Sequence, residues 1–561
     1  MIKHRSPISG IAAFGNEWVA TAGYDNTVIL WDAREKRAVA RGVHDHLANQ
    51  CSFHPSGKLL GTSSSDYTAR IWEVPTMRLL TVLPDHGDDV ETIAFHPTKP
   101  LVATACRDHM VRVFDLSGQL LHRLEGHTLD VNSVDWADGR DEIISASDDG
   151  TVRRWCAVTG KQVEVVGLDG SDADAVAIAR DGTIFCASWD GTIAVIIDGK
   201  AKLVKAHAAG IKRIVFDHES ARLVSISYDR GLKVWKYTDG DLVVVTEASL
   251  PSDVWPRSCA FQGATALVLG TFGSSYATFD LTTETWDVSS VEPTPGINAV
   301  GVFDGKVCTV GDAGIVKQGD VVVCELGSLC NFLTAAGPVL FTGGQSGTVF
   351  DALTGRVLYQ HRSPLNCGAA FVRDGKQHVA IGSYTGEALV FGVSEQGDVE
   401  LVKVEAFHAN AIKGITYGNG VLFSVSAGSV GAFHRTSDLA CVKRVERAHD
   451  RISNACAALP EGGYVSVGRD LTLRIWRDDR IERLATPHTS SIKCTAVCRR
   501  GRFVASGSYT GHVAIYDLER RTWTKDVRPT AAGISALTYA PEIEQFLASS
   551  YDGNVYQVSP S

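Results

Sequence analysis

Ile144-Ser145-Ala146-Ser147-Asp148-Asp149-Gly150-Thr151-Val152-Arg153-Arg154-Trp155 reads as strand, tight turn, strand. Apolar residues alternate from Ile143, Asp148-Asp149-Gly150 supplies a hairpin turn, and Thr151 to Trp155 alternates again. The Asp149 carboxylate therefore sits in the turn, and the Trp155 indole lies along the second strand. Gly126-His127 precedes the stretch by enough chain for one further strand and its loop. The same pattern recurs as Asp25/Trp31, Asp66/Trp72, Asp108/Phe114 and Asp229/Trp235, while Asp190 keeps the turn with Ile196 in the aromatic slot.

Successive turns lie about 40 residues apart, the period of a four-stranded propeller blade. Worn copies follow at Phe272-Gly273, Gly311-Asp312, Gly344-Gln345, Tyr384-Thr385, Ser426-Ala427, Arg469-Asp470, Tyr509-Thr510 and Tyr551-Asp552. Six clear and eight worn units make fourteen, and 561 residues shared among them gives roughly 40 each. The chain resembles the WD-repeat β-propeller family over nearly its whole length. His127, Ser145, Asp149 and Trp155 are similar to that family's buried hydrogen-bonded set, as are His44/Thr62/Asp66/Trp72 and His207/Ser225/Asp229/Trp235. Blades seven to eleven lack most of the set.

The expected fold class is all-β: two tandem seven-bladed propellers made of fourteen four-stranded WD-type blades. Residues 1–290 would hold blades one to seven and residues 291–561 blades eight to fourteen. The seam is placed in Ser289-Ser290-Val291-Glu292-Pro293-Thr294-Pro295-Gly296, a Pro/Gly-rich break. A six-plus-eight division is the alternative. Asn554 to Val558 reads as the third strand of blade fourteen, so Met1 to Lys3 is expected to complete that blade, because an open edge is a liability. Leu242 to Val245 and Val321 to Val323 read as strands buried on both faces.

Composition narrows the function. A net charge of −10 argues against sequence-independent nucleic-acid binding. No apolar run reaches a membrane span of about 18 residues, and the first residues do not read as a secretory signal. Thirteen cysteines, an odd number scattered through apolar strands, suit reduced thiols and a cytoplasmic protein. Phosphate-loop and zinc-helix motifs are missing. His44-Asp45-His46 resembles a metal motif, yet His44 occupies the repeat position of His127 and reads as structural. Asp88-Asp89, Asp148-Asp149 and Asp478-Asp479 fall at loops and turns, where solvated or hydrogen-bonded carboxylates are the plainer reading. No catalytic residue, cofactor or metal is expected.

The repeat register points to a binding face. If the histidine loop and the Asp turn meet, residues beside them ring one mouth of each propeller. The position before the turn Asp holds Tyr24, Ser65, Arg107, Asp148, Trp189, Tyr228 and Phe272 in the first ring, and Gly311, Gly344, Tyr384, Ser426, Arg469, Tyr509 and Tyr551 in the second. Tyrosine, tryptophan and arginine carry much of the binding energy at interfaces. A second row, one residue into each inner strand, is polar and includes Lys212, Arg257, Lys413 and Lys493; it reads as the rim of a wet channel. Trp189, Tyr228 and Phe272 should form one patch, and Tyr509 with Tyr551 another beside Lys493. His54 and His96, in strand-linking turns, mark the opposite face. The expected function is a non-enzymatic scaffold or adaptor binding a protein or peptide on the turn-side faces, as the family resemblance implies. The alternative is an enzyme or accessory subunit holding a small molecule in a channel mouth.

Overall fold

The computed structural model describes residues 2–137, 139–168, 171–477 and 480–560. Asp478-Asp479, one of the acidic pairs singled out above, lies outside them. Every regular element is a strand, and the strands form thirteen four-stranded antiparallel sheets and one three-stranded sheet among the described residues. Each sheet is one blade, with its strands paired in chain order. In blade four, Val131–Trp136, Glu142–Ser147, Thr151–Cys156 and Gln162–Gly167 run from inside to outside.

The chain divides into two compact units, Met1–Thr294 and Pro295–Ser561. In the first unit seven inner strands follow one another round a ring, and Ile8–Phe14 closes it against Val254–Gln262. In the second, Ile297–Phe303 closes against Ile534–Ala540. The boundary lies four residues beyond the expected position because Val291 to Thr294 still pair with blade seven. Gly273 and Pro293 form a β-bridge, Ser274 N–H donates to the Glu292 carbonyl at 2.8 Å, and Thr294 Oγ1 donates to the Phe272 carbonyl at 3.1 Å.

The apolar core lies between blades. Ile144, Ala146 and Val152 of blade four meet Val176, Ile184 and Cys186 of blade five, all essentially shielded from water. Contacts of this kind, worth about 1.5–3 kcal/mol per large buried side chain, hold neighbours together. Outer strands behave differently. Val243, Val245 and Val321 are 62%, 52% and 66% exposed, so the two valine-rich runs expected to be buried on both faces are in fact solvent-facing fourth strands.

The proposed closure of blade fourteen by Met1 to Lys3 is incorrect. Met1 is not among the described residues, but Ile2 packs on the apolar cluster of blades one and seven. Lys3 Nζ pairs with Glu292 at 2.7 Å, and His4 N–H donates to the Ser274 carbonyl at 3.0 Å. The physical reason is His4 itself. Its imidazole is buried in blade one against Asp25 and Thr21, which fixes the residues beside it in the first unit. Blade fourteen has three strands among the described residues.

One irregularity recurs at the start of the inner strands. In blade four Val131 opposes Ser147 while Ser133 opposes Ala146, which leaves Asn132 as an extra, unpaired residue. The same one-residue β-bulge falls on Ser9, Asn49, Asp174 and Lys212, and in the second unit on Asn298, Asn331, Asn366, Lys413, Asn454, Lys493 and Ser535. Bulges re-aim side chains, and here they aim them sideways. Asn132 Nδ2 donates to the Ala173 carbonyl of the next blade at 3.3 Å, Asn331 to Leu365 at 2.8 Å, and Asn454 to Ile492 at 2.7 Å. Ser535 closes the second ring by donating to the Ile297 carbonyl. The asparagines of the polar second row are thus clamps between blades rather than a hydrated lining.

Candidate functional site

The turn-side mouth is built by the hydrogen-bonded sets. In blade four the Trp155 indole N–H donates to Ser145 Oγ at 2.8 Å, and Ser145 Oγ lies 2.8 Å from His127 Nε2. His127 Nδ1 then meets Asp149 at 3.0 Å, and Thr151 Oγ1 donates to the same carboxylate at 2.6 Å. This chain of bonds pins the histidine loop to the Asp turn, so both lie at one mouth. Blades two and six repeat it through His44 and His207. Burial opposes ionisation of Asp229, but His207 and two backbone N–H groups hold its carboxyl down at about 2.

Two complete sets escaped the sequence reading: His4/Thr21/Asp25/Trp31 in blade one and His449/Ser466/Asp470/Trp476 in blade twelve. The signal that would have found them is spacing. These histidines precede their aspartates by 21 residues, against 22 in blades two, four and six.

Blade thirteen keeps only half a set. His488 Nε2 meets Ser506 Oγ at 2.9 Å, but Thr510 stands in the aspartate position and His488 Nδ1 is buried with no hydrogen bond. Thr510→Asp should supply the missing acceptor and raise stability by about 1 kcal/mol. The converse change, Asp149→Ala, strands a donor and should cost about 1–3 kcal/mol. Denaturant titration of both variants checks the pair; a Thr510→Asp chain no more stable than the parent would count against it.

Around the first mouth, five aromatic rings cover blades five, six, seven and one. Trp189 stacks on Tyr228 with centroids 5.5 Å apart, and Trp255 meets Phe272 at 5.4 Å and Tyr24 at 5.2 Å. Two cations lie over these rings. Lys212 Nζ is 5.9 Å from the Trp189 ring, and the Arg257 guanidinium is 5.4 Å from Trp255 and 5.8 Å from Tyr24. Tyr228 and Phe272 are only 5% exposed, so they support the surface rather than form it. Trp189 and Tyr24 are half-buried. Trp255 was missed because blade seven's inner strand takes a longer excursion, between Val254 and Cys259, than the other bulges.

Blades three to five fill the rest of this mouth with charge. Arg107 reaches both Glu91 and Asp130, the latter at 3.2 Å, and Lys212 pairs with Asp174 at 2.6 Å. Burial works against Glu91, yet Arg107, Arg257 and Lys212 hold it at about 2. Asp148 goes the other way. Burial and the neighbouring Asp130, Asp174 and Asp172 push it up to about 8, so it keeps a proton near neutrality. Asp172 is raised to about 6 by burial and Asp174. The mouth thus offers an aromatic, cation-capped half and a carboxylate half.

The second unit's mouth is plainer. Tyr509 and Tyr551 stack at 6.3 Å with their planes 13° apart, and Lys413 lies 5.2 Å from the Tyr384 ring. Gly533 fits against both tyrosines, where a Cβ would come within 3.0 Å of the Tyr509 carbonyl and the Tyr551 ring. Arg469 and Lys493 are half-buried at the same end of their blades. Away from the mouths, His54 packs on Phe95 at 5.3 Å and His96 lies 3.3 Å from Asp141, both as parts of turns.

Among the described residues no cluster of three or more His, Cys, Asp or Glu is arranged to hold a metal, and no helix is long and apolar enough to cross a membrane. The family described as "WD domain, G-beta repeat" matches residues 2–32, 41–73, 77–115, 118–156 and 481–517. The transcriptional corepressor LEUNIG_HOMOLOG of Arabidopsis thaliana is 24% identical over 199 residues, 34% of this chain and 25% of that protein. A guanine nucleotide-binding protein subunit beta of Oryza sativa subsp. indica is 24% identical over 219 residues, 35% of this chain and 58% of its own length. Nuclear distribution protein nudF of Aspergillus niger is 32% identical over 97 residues, 16% of this chain and 22% of its own. The matches cover less than two thirds of each of these relatives.

Proposed function

Because the chain is a WD-repeat β-propeller protein, we propose that it is a non-enzymatic, cytoplasmic scaffold that holds a protein or peptide segment across the turn-side mouth of its first propeller. The observation that carries this reading is the polarised mouth. Trp189 and Tyr24, backed by buried Tyr228, Trp255 and Phe272, give an apolar shelf on a rigid frame. The carboxylates of blades three to five give a polar rim beside it. Preorganised aromatics flanked by charge are the usual make-up of an interaction hot spot. The relatives named as a corepressor and as a subunit beta support a role in association. Tyr509, Tyr551, Tyr384, Lys413, Arg469 and Lys493 make the second mouth a lesser surface for the same partner or another.

The test is affinity capture of the full chain from its native host, followed by cross-linking and mass spectrometry. A stoichiometric partner cross-linked through Lys212 and close to Trp189 supports the proposal. A partner footprint confined to the strand-linking turns around His54 and His96, or to blade sides, overturns it.

A further inference from the structure

The first propeller's channel contains a cavity of about 350 Å³, to which all seven inner strands contribute. This volume suits a small ligand. Its one arginine is Arg213, third residue of the strand Ile211–Asp217. The charge of Arg213 is felt by Cys51, Asp135 and Cys259, which belong to blades two, four and seven. Arg213 lines the cavity together with residues of the other six inner strands. Its Nε is buried and makes no hydrogen bond, and no carboxylate lies within ion-pair distance of it among the described residues.

Arg213 is half-buried with its Nε shielded, and a guanidinium that leaves a shielded N–H unbonded is costly; nothing in the fold requires one here. In the second propeller the third residues of the inner strands are alanine, phenylalanine, cysteine or glycine, none of them charged. Thr92 Oγ1, also lining the cavity, is a second buried group without a hydrogen bond. We propose that this channel is a binding site for a small monoanionic carboxylate, held in the fork of Arg213 with Thr92 as a second hydrogen-bond partner. The planar fork of arginine matches a carboxylate with two parallel N–H···O bonds. The limit to one negative charge comes from Asp135 and Asp217, which also line the cavity; Asp217 is engaged by Ser220, and burial raises Asp135 to about 6. Ile93, Val134, Val176 and Ile214 complete an apolar wall for the rest of the molecule.

Arg213 and Thr92 come one residue after Lys212 and Glu91 of the mouth, and the cavity runs from there towards the strand-linking turns; it uses none of the mouth's aromatic rings, so it stands or falls independently of the scaffold reading. The experiment is calorimetric titration and thermal melting of the full chain with sodium acetate and sodium benzoate, against sodium chloride at equal ionic strength. Inorganic phosphate serves as the other oxyanion. Carboxylate should raise the melting temperature of the parent chain by mass action. Arg213→Met should abolish that response while melting at least as high in chloride alone, because the guanidinium it removes leaves its shielded Nε unbonded in the fold. Arg213→Lys, which keeps the charge but not the fork, should respond weakly, and Trp189→Ala should respond like the parent. Small molecules released on denaturing the protein from its native host should include a carboxylic acid that is absent from the Arg213→Met chain. The proposal fails if no carboxylate stabilises the parent and none copurifies, or if the response survives in Arg213→Met. It also fails if phosphate alone gives the Arg213-dependent response, or if Arg213→Met melts lower in chloride, as a structural arginine would.

Discussion

At about pH 4.5 the second propeller should unfold well before the first, although at neutral pH the two are held by the same kind of packing. Three buried histidines of the second unit lack an acceptor on Nδ1: His408, His434 and His488. Burial, together with nearby cations, lowers them to about 3, 4 and 4. A histidine held neutral in the folded chain gains a proton on unfolding once the pH drops below its ordinary value of about 6.5. Stability is therefore complete above about 6.5 and falls as the pH approaches the folded value. At 1.36 kcal/mol per unit, each of the three costs about 2–3 kcal/mol near pH 4.5.

In the first unit His86 is lowered to about 4, and burial also lowers His44 and His127, against the opposing pull of Asp66 and Asp149. That unit also has a counterweight in Asp135, Asp148 and Asp172, raised to about 6, 8 and 6. For these the sign reverses. The folded state binds the proton first, so acidification from neutrality towards about pH 4 is stabilising. The depressed carboxylates Glu91 and Asp229 begin to lose their contribution only near their ordinary values of about 4, below the chosen pH. Hydrogen-exchange mass spectrometry at neutral and acid pH reads each propeller through its own peptides. Equal acid losses in both would sink the expectation, and Thr510→Asp, by giving His488 a carboxylate, should shrink the loss in the second.

Replacing Trp189 with alanine should weaken the partner's binding by about 2 kcal/mol, or roughly 30-fold in Kd, with little change in melting temperature. Trp189 is half-buried, and its outer face is the part of the stack a partner can reach. Tyr228→Ala is the wrong probe for the same question. That ring is 5% exposed beneath Trp189, and removing it leaves a cavity of the kind that costs about 3–5 kcal/mol of fold stability. His54→Ala, on a strand-linking turn of the other face, should leave affinity unchanged. If Trp189→Ala binds as the parent does while His54→Ala does not, the face has been assigned the wrong way round.

Much of the fold is legible in the residues because the hairpin at Asp149 repeats with its own grammar. In blade two, alternation on either side of the His54-Pro55-Ser56-Gly57 turn marks strands at 48–53, 59–63, 68–72 and 79–83, and the observed strands Ala48–Phe53, Leu59–Ser64, Ala69–Glu73 and Arg78–Leu83 differ by a residue or so at the ends. Turn residues and alternation are local, so they survive being read one segment at a time. What was lost is long-range. Nothing near His4 announces that it serves Asp25, and nothing in Asn132 states that its amide reaches Ala173 in another blade. Val243 was misread for a related reason: a valine run looks the same in a sandwiched strand as in the outermost one, and only blade order tells them apart. At the mouth, the position beside the turn brings Trp189 against Tyr228, while Phe272 meets Trp255. Their division into reachable and supporting rings depends on stacking directions that no sequence pattern encodes.

The clamps at the bulges have a consequence for how such a chain can change over time. Asn331 or Asn454 grips a main-chain carbonyl of the following blade, a group every amino acid possesses. The hub is therefore fastened by bonds indifferent to what the neighbouring blade is made of. One blade can drift, lose its tryptophan or exchange its aspartate for threonine, and the blades on either side need no matching substitution to stay in place. This makes the ring modular at its centre while its rim diversifies. It also accounts for how blade nine, with Gln345 in the aspartate position, keeps its hold on blade ten through Asn331.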